Sequence, residues 1–155
     1  MHMTASFLAA LPSQPGVYAV WLQVTEPLTL PVGSLGEVTV TPGDWVYVGS
    51  ALGPGGLRAR VAHHARIAAR PHWHIDYLRR HAVLTTVWYS IDSRRREHQW
   101  ARWFQEMGGI VAAPGFGSSD CRCPAHLFHF PQRPDGAAFV AALRARYPDH
   151  PPVSL

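Results

Sequence analysis

Two tyrosines, an arginine, a histidine and a glutamate stand in segments that could bring their functional groups together. Tyr18 and Tyr47 each lie in a run of β-branched and aromatic residues, and phenols on adjacent strands can point at one spot. Arg60 and His64 are four residues apart in a segment of helical periodicity, which places a cation beside a proton-transfer group. Glu97 stands near a predicted helix start, where its carboxylate could hold one Mg²⁺ or Mn²⁺. Activated water, a fixed cation and a metal are the parts that phosphodiester hydrolysis needs.

Each of these residues also has an ordinary structural explanation when it is taken alone. A strand tyrosine usually packs in the core with its hydroxyl towards water, and Arg60 could be a solvated helix residue. Glu97 could favour its helix start through the helix dipole, which is worth ~0.3–1 kcal/mol. The hypothesis therefore depends on the conjunction of the five residues.

Strand and helix patterns alternate along the chain and predict the elements that would position these residues. One helix begins at Leu57 and stops before Pro71, and another has Ser93 as its N-cap and runs to about Met107. A glycine turn at residues 32–36 indicates a hairpin of two short edge strands. The other predicted elements are core strands at residues 16–22, 44–49, 83–89 and 127–130, helices at 73–81 and 136–147, and a loose tail from Pro148.

These elements predict an α/β (α+β) fold, with a small, mostly antiparallel central sheet flanked by helices, an inserted edge hairpin and a C-terminal helix. The chain has 155 residues, a mass of 17.2 kDa and 47% hydrophobic residues, which favours a single domain over residues 1–155 with its core at about 14–130. All 14 basic residues are arginines, and asparagine is absent as well. The composition therefore excludes a Schiff-base or P-loop lysine, a serine–lysine dyad and a papain-like triad with asparagine.

The positive charge of the chain favours an acidic partner, and nucleic acid is the first candidate. The net charge is +4 with a pI near 9.6, and arginine binds phosphate through a bidentate fork, although many mildly basic domains bind nothing. Three arginines at residues 94–96 oppose the dipole of the predicted helix, which suggests an anionic partner. The glycine-rich stretch 49–56 could guide a phosphate through its amides, or be a plain connector. The candidate contacts are Ser50, Arg58, Arg66, Arg94 and Arg95.

The cysteines and histidines near the end of the chain could be interpreted as a zinc site made of Cys121, Cys123, His126 and His129. The Cys-x-Cys spacing is tighter than is usual, and two histidines three apart on a strand face opposite sides, so zinc is not favoured. A site that joins one cysteine to His72 or His74 stays open. We expect reduced thiols in a cytoplasmic protein, with neither a leader sequence nor a membrane-spanning stretch.

The ordered motifs Gly16-Val17-Tyr18 and Tyr47-Val48-Gly49 resemble the paired signature of the GIY-YIG nuclease superfamily. Arg60 and His64 match the Arg-x-x-x-His spacing that follows the second motif in such nucleases, and Glu97 resembles their metal-binding glutamate. Residues 45–53, 72–78 and 114–128 look like one uncharacterised branch, whose members are sometimes fused to endonuclease III-type DNA glycosylases. The resemblance spans residues 14–130.

This resemblance implies a divalent-metal-dependent endonuclease that hydrolyses phosphodiester bonds in DNA, or less favourably RNA, in DNA repair or processing with a partner repair enzyme. One tyrosine, by preference Tyr47, would be the general base or position the water, and Arg60 would clamp the transition state. Glu97 would hold Mg²⁺ or Mn²⁺, and His64 would shuttle a proton or contact a phosphate. The resemblance also covers His74, which joins the candidate nucleic-acid contacts.

The chain departs from the superfamily at one position, because such nucleases commonly carry an asparagine after the glutamate helix. Ser118, Ser119 or Asp120 would have to replace it here. Two other functions therefore stay open: a catalytically inactive nucleic-acid-binding module on the same scaffold, and a zinc-stabilised interaction domain.

Overall fold

Four antiparallel strands form the central sheet of the protein, in the order β5-β1-β4-β6. A computed structural model describes residues 5–71, 73–116 and 126–155. The strands of the central sheet are β1 (Gly16–Val24), β4 (Gly43–Ala51), β5 (Val83–Ile91) and β6 (Leu127–Phe130), and β2 (Leu28–Pro31) and β3 (Glu37–Val40) form a separate pair. The helices are α1 (Ala5–Ala10), α2 (Gly56–Ala65), α3 (His74–Arg79), α4 (Glu97–Glu106) and α5 (Gly136–Arg146).

The sheet is buried on both faces because its central strands are apolar at most positions that face a helix layer. On β1, Tyr18 and Leu22 pack into one core with residues of α2 and α3, whereas Val17 and Trp21 pack into a second core with residues of α4 and α5. Successive side chains of a strand point to opposite faces, so one continuous apolar strand supplies both cores. The expected α/β (α+β) class with an antiparallel central sheet and flanking helices is confirmed.

The hairpin predicted around residues 32–36 is present, but it is not an edge of the central sheet. Strands β2 and β3 pair only with each other among the described residues, with Leu28 opposite Val40 and Pro31 opposite Glu37. The turn between them holds Gly36 at a φ of 75°, a conformation that glycine adopts without strain. The hairpin buries Leu30, Val32, Val38 and Val40 in the same core as α2 and α3.

Two helix boundaries differ from the sequence expectation. α2 ends at Ala65 instead of continuing to Pro71, because the guanidinium of Arg79 donates to the carbonyl oxygens of His64 and Ala65 and so satisfies the helix end there. α4 begins at Glu97 instead of directly after Ser93, because the Asp92 carboxylate accepts the amide of Arg94 and holds a turn before the helix.

The tail after Pro148 was expected to be loose, and this expectation is wrong. His150 is buried, and its Nε2 accepts a 2.9 Å hydrogen bond from the indole Nε1 of Trp100. Ser154 forms an antiparallel bridge with Tyr89 on β5. The tail is therefore fixed to the α4 side of the sheet. Within the described parts of the chain, no helix has the length and apolar character needed to cross a membrane.

Candidate catalytic cluster and its surroundings

Tyr18 lies across Gly49, and this close approach explains why the two short motifs occur together. The two residues are directly opposite each other in the β1–β4 pairing. A Cβ atom on Gly49 would lie 2.4 Å from the Tyr18 hydroxyl, a distance that no real structure tolerates. The glycine of the second motif therefore makes room for the tyrosine of the first.

Three of the predicted catalytic side chains form one buried ring cluster. The Tyr18 hydroxyl and His64 Nε2 are 2.7 Å apart, and the two ring centroids are 5.4 Å apart. The Tyr47 ring lies 5.3 Å from the His64 ring and 6.4 Å from the Tyr18 ring. Strands β1 and β4 supply the tyrosines, and α2 supplies the histidine across the sheet face. The structure thus brings the rings of Tyr18, Tyr47 and His64 together.

Burial keeps Tyr18 and His64 neutral. It raises the pKa of Tyr18 well above its usual value, and the neighbouring Tyr47 raises it further, while Arg60 acts in the opposite direction. Burial likewise lowers the pKa of His64 well below its usual value, and the charges of His63 and Arg60 add to this effect. His64 Nδ1 is buried and has no hydrogen-bond partner among the described residues.

Arg60 connects the ring cluster to the protein surface. Its guanidinium acts on the Tyr18 hydroxyl on one side and lies 4.7 Å from the Trp73 ring on the other, a cation–π distance. Its Nη1 also donates a 3.4 Å hydrogen bond to the carbonyl oxygen of Ser50. Half-buried Arg60 lines a pocket of about 120 Å³ together with Gly53, Trp73 and other residues. Arg60 is therefore a predicted catalytic residue that faces an open pocket.

Glu97 is the first residue of α4 and is 5% exposed. Burial raises the pKa of its carboxyl group, but the Ser50 hydroxyl and Arg95 outweigh burial, and the net pKa is lowered. Arg95 Nη1 donates to Glu97 Oε1 at 2.7 Å. The carboxylate is therefore ionised at neutral pH, and it is close enough to contribute to the raised pKa of Tyr18.

The five predicted catalytic residues meet around the end of β4, and Arg60 is the one of the five that lines the pocket described above. Tyr18, Tyr47 and His64 are in direct ring contact, and Arg60 lies against them. Glu97 belongs to the α4 side, and it is close enough to the group to contribute to the raised pKa of Tyr18. The pocket beside Arg60 is lined by residues of α2 and the glycine loop rather than by the tyrosines or Glu97.

The candidate nucleic-acid contacts occupy different environments. Arg66, Arg94 and Arg95 are exposed, whereas Ser50 and His74 are buried, with the His74 ring 6.3 Å from that of Phe116. Arg58 is exposed, but its Nε donates to the Leu11 carbonyl at 2.7 Å and so ties α2 to the end of α1.

Two amides at the start of α2 donate to backbone carbonyls of the chain. The N–H groups of Leu57 and Arg58 donate to the carbonyl oxygens of Gln14 and Pro12, at 3.0 and 2.9 Å. These two amides are therefore occupied by backbone carbonyls, and the suggested guidance of a phosphate by the amides of residues 49–56 stays a prediction.

The arginines at residues 94–96 are neutralised within the chain. Arg96 is buried, and its guanidinium binds the carboxylates of Asp92 and Asp149. Arg94 pairs with Asp149 at 2.8 Å, and Arg95 pairs with Glu97. Aspartate and glutamate side chains thus neutralise the arginine charges that would oppose the helix dipole. These three arginines alone do not require an external anion.

Sequence reasoning missed three residues beside the cluster: His63, Trp73 and Asp76. His63 Nε2 lies 3.2 Å from Asp76 Oδ1, and the Trp73 amide donates to Asp76 Oδ2 at 2.9 Å. The Trp73 ring contacts both His63 and His64. The adjacent histidines in α2 were the available signal, but their partner Asp76 comes from another helix.

The zinc interpretation can be followed only in part. His129 Nε2 is 2.8 Å from the Pro42 carbonyl oxygen, whereas His126 lies near Glu97 and contributes to the lowered pKa of that carboxyl group. The two histidines therefore have separate environments. Cys121, Cys123 and His72 lie outside the described residues, as do Ser118, Ser119 and Asp120, so their predicted roles stay predictions.

Comparison with known proteins gives one family. No curated protein and no solved structure matches the chain significantly. A family model described as a domain of unknown function, DUF123, matches residues 17–147. This range runs from β1 to the end of α5 and includes all five predicted catalytic residues. The chain therefore belongs to the DUF123 family.

Proposed function

We propose that the protein is a divalent-metal-dependent endonuclease that hydrolyses phosphodiester bonds in DNA, with RNA as the less favoured substrate. One observation carries this proposal: Arg60 and Glu97 both lie close enough to the Tyr18 hydroxyl to change its pKa. A cation suited to a phosphoryl group and an ionised carboxylate suited to a metal thus lie near the same tyrosine–histidine cluster. The ordered resemblance to GIY-YIG nucleases supports the same activity.

The environments of the side chains assign different roles to them. Arg60 faces the pocket and would neutralise the charge that develops on the phosphoryl oxygens. Tyr18 is fully buried with a raised pKa, so it would act as a positioning residue that orients Arg60 and His64 rather than as the base. This leaves Tyr47 as the tyrosine proposed to orient or deprotonate the attacking water. The neutral imidazole of His64 would hold the Tyr18 hydroxyl in place through the hydrogen bond that joins them.

Glu97 fits the single Mg²⁺ or Mn²⁺ that the proposal requires. Its carboxylate is ionised and nearly buried, and Mg²⁺ is commonly held by one or two carboxylates with water in its other positions. Its partner Arg95 has a side chain that is 64% exposed, so it can leave Oε1 without uncovering a buried cation. A bound ion would lower the pKa of a water molecule and polarise the phosphate.

We further propose that the chain belongs to the GIY-YIG branch whose members are sometimes fused to endonuclease III-type DNA glycosylases. Residues 45–53 and 72–78 carry this resemblance in the described parts of the chain. A role in DNA repair or processing would follow, with a glycosylase of that type as the partner enzyme that selects the damaged site.

Cleavage assays test the activity. Purified protein is incubated with plasmid, single-stranded DNA and RNA, with Mg²⁺, Mn²⁺ or a chelator. We expect metal-dependent cleavage that falls at least about 100-fold in Arg60→Ala and Glu97→Gln, because each removes charge stabilisation used in the transition state.

The matched controls for these variants lie on α4. Arg102→Ala and Glu106→Gln remove an exposed arginine and its i+4 glutamate from the far part of that helix. Both should cleave at the wild-type rate. Cleavage that persists in both Arg60→Ala and Glu97→Gln would mean that another protein or another site produces it.

The second candidate function is a nucleic-acid-binding module without turnover. One observation favours it: the chain contains no asparagine, although the nucleases that it resembles commonly use one. Binding without cleavage would show an affinity that falls steeply with salt, because arginines displace counterions from the phosphates. Such binding, with no cleavage under any metal condition, would replace the endonuclease proposal.

A further inference from the structure

Two histidines and an aspartate meet where the end of α2 packs against the first turn of α3. His63 and His64 come from the last turn of α2, and Asp76 comes from α3. One potential ligand atom from each residue lies within 4.8 Å of the other two. The Arg79 side chain fixes this junction, since it spans from α3 to the carbonyl oxygens of His64 and Ala65.

The spacing of these atoms suits a small transition-metal ion. Ligands at the usual zinc–nitrogen and zinc–oxygen distances stand about 3.3 Å apart in a tetrahedron. His63 Nε2 and Asp76 Oδ1 are already 3.2 Å apart. One potential ligand atom of each member lies within 4.8 Å of the others, so side-chain movements of about 1–2 Å would complete the set. Two imidazoles and one carboxylate are a ligand set typical of zinc and related ions rather than of magnesium or calcium.

A second, independent observation points to a ligand at this place. The His64 residue is 1% exposed, and its Nδ1 makes no hydrogen bond with any described residue. An imidazole nitrogen buried without a partner is costly, because it loses its bond to water and gains nothing in return. Its other nitrogen is already taken by the Tyr18 hydroxyl. Nδ1 is therefore the atom of His64 that is available to a metal.

We propose that His63, His64 and Asp76 bind one divalent transition-metal ion of the zinc class. His63 contributes Nε2, His64 contributes Nδ1 and Asp76 contributes Oδ1, with a fourth position left for water. The Trp73 amide holds the second carboxylate oxygen of Asp76 at 2.9 Å, and this is the kind of contact that orients a metal ligand. His63 has a side chain that is 27% exposed, which gives the ion a route of entry.

A metal on Nδ1 would fix the hydrogen bond to Tyr18 in one direction. Nδ1 must be unprotonated to bind, so the imidazole proton resides on Nε2 and is donated to the Tyr18 oxygen. The site is distinct from Glu97, which lies on the α4 side of the sheet. Its existence does not depend on nuclease activity, because binding of the metal alone tests it.

Titration of the chelator-treated, full-length protein with Zn²⁺ tests the site. Isothermal titration calorimetry with a competing chelator should show one ion bound per chain. Asp76→Asn and His63→Gln should each weaken binding by at least about tenfold. The control is His81→Gln, which changes an exposed histidine outside the cluster and should leave the affinity unchanged.

Cobalt substitution identifies the donor atoms. With Co²⁺ in place of Zn²⁺, the proposed site predicts the visible bands of a four-coordinate ion without the ultraviolet charge-transfer band of a thiolate ligand. Circular dichroism verifies that each variant is folded, and the partly exposed His63 provides a mild change if Asp76→Asn unfolds. Zinc affinity that is unchanged in His63→Gln, a thiolate band, or no bound zinc at all would overturn the proposal.

Discussion

The Tyr18–Gly49 contact shows how a glycine can determine the geometry of a site, because it leaves space for the side chain opposite. Tyr18 reaches both His64 and Arg60 only because its ring passes over a residue without a Cβ atom. Gly49 does not have a positive φ, so its backbone conformation does not require glycine. The volume of the Tyr18 ring requires it instead. A Tyr-x-Gly motif opposite a Gly-x-Tyr motif therefore has a packing reason that is separate from catalysis.

Gly49→Ala tests this close contact. The added methyl group would overlap the Tyr18 hydroxyl, so the ring must move away from His64. We expect the free energy of unfolding to fall by about 1–3 kcal/mol, which is typical of an overpacked core. Urea denaturation measures the change. Gly53→Ala is the matched control, because a Cβ atom there meets nothing within 4 Å, and an equal loss in both variants would contradict the explanation.

At the same scale, residue type and short spacing predict part of the site well. Arg60 and His64 are four residues apart on one helix, so local geometry places them together. The contact between His63 and Asp76 depends instead on how the chain turns between α2 and α3, and no local pattern encodes that turn. Arg96 has one partner of each kind, because Asp92 is four residues before it whereas Asp149 is distant in sequence.

Among the elements, strands were easier to predict than helix ends. β6 was predicted with its actual bounds, and β1, β4 and β5 were recognised from their β-branched and aromatic residues. The ends of α2 and the start of α4 were misplaced because tertiary contacts, from Arg79 and Asp92, decide where these helices begin or stop. α1 was missed, since it is only six residues long and none of its residues is buried.

Arg79→Met tests whether one side chain ends α2. The arginine donates to the carbonyl oxygens of His64, Ala65 and Ala82, so its loss leaves three acceptors without this partner. We expect a loss of about 1.5–3 kcal/mol in the free energy of unfolding. Hydrogen exchange of the last amides of α2 should also become faster.

Arg80→Met is the graded control for this change. Arg80 follows Arg79 directly, but it is exposed, and it donates to the carbonyl oxygens of Ala68 and Ala69 beyond the end of α2. We expect a smaller loss of stability and unchanged exchange within α2. Equal effects of the two substitutions would mean that Arg79 does not end the helix.

For the whole molecule, net charge is a weaker guide to binding than it first appears. Arg79 and Arg96 act within the fold, where they end a helix and bind two aspartates. Arg58 and Arg94 also have partners inside the chain. The chain does carry excess positive charge, but several of its arginines bind groups within the fold. The net charge therefore does not show which arginines are available to bind an anion.

The C-terminal tail is the other feature of the whole molecule, and His150 makes its attachment sensitive to pH. Burial lowers the pKa of His150, and Arg96 and Arg144 lower it further, whereas the Pro151 carbonyl and Asp92 act in the opposite direction. Neutral Nε2 accepts the Trp100 indole proton, and protonation of Nε2 would abolish that bond. The unfolded chain therefore binds more protons than the folded chain at mildly acid pH, and stability rises with pH there.

His150→Gln measures this contribution. The excess stability of the wild type over the variant should be constant above the usual histidine pKa of about 6.5 and should shrink as pH falls from about 7 to 5. Chemical denaturation at several pH values gives the difference. Ser154→Ala alters the tail without adding or removing a titratable group. The stability of this variant should therefore depend on pH in the same way as that of the wild type. A difference that is flat, or that grows towards acid pH, would show that His150 does not hold the tail as a neutral acceptor.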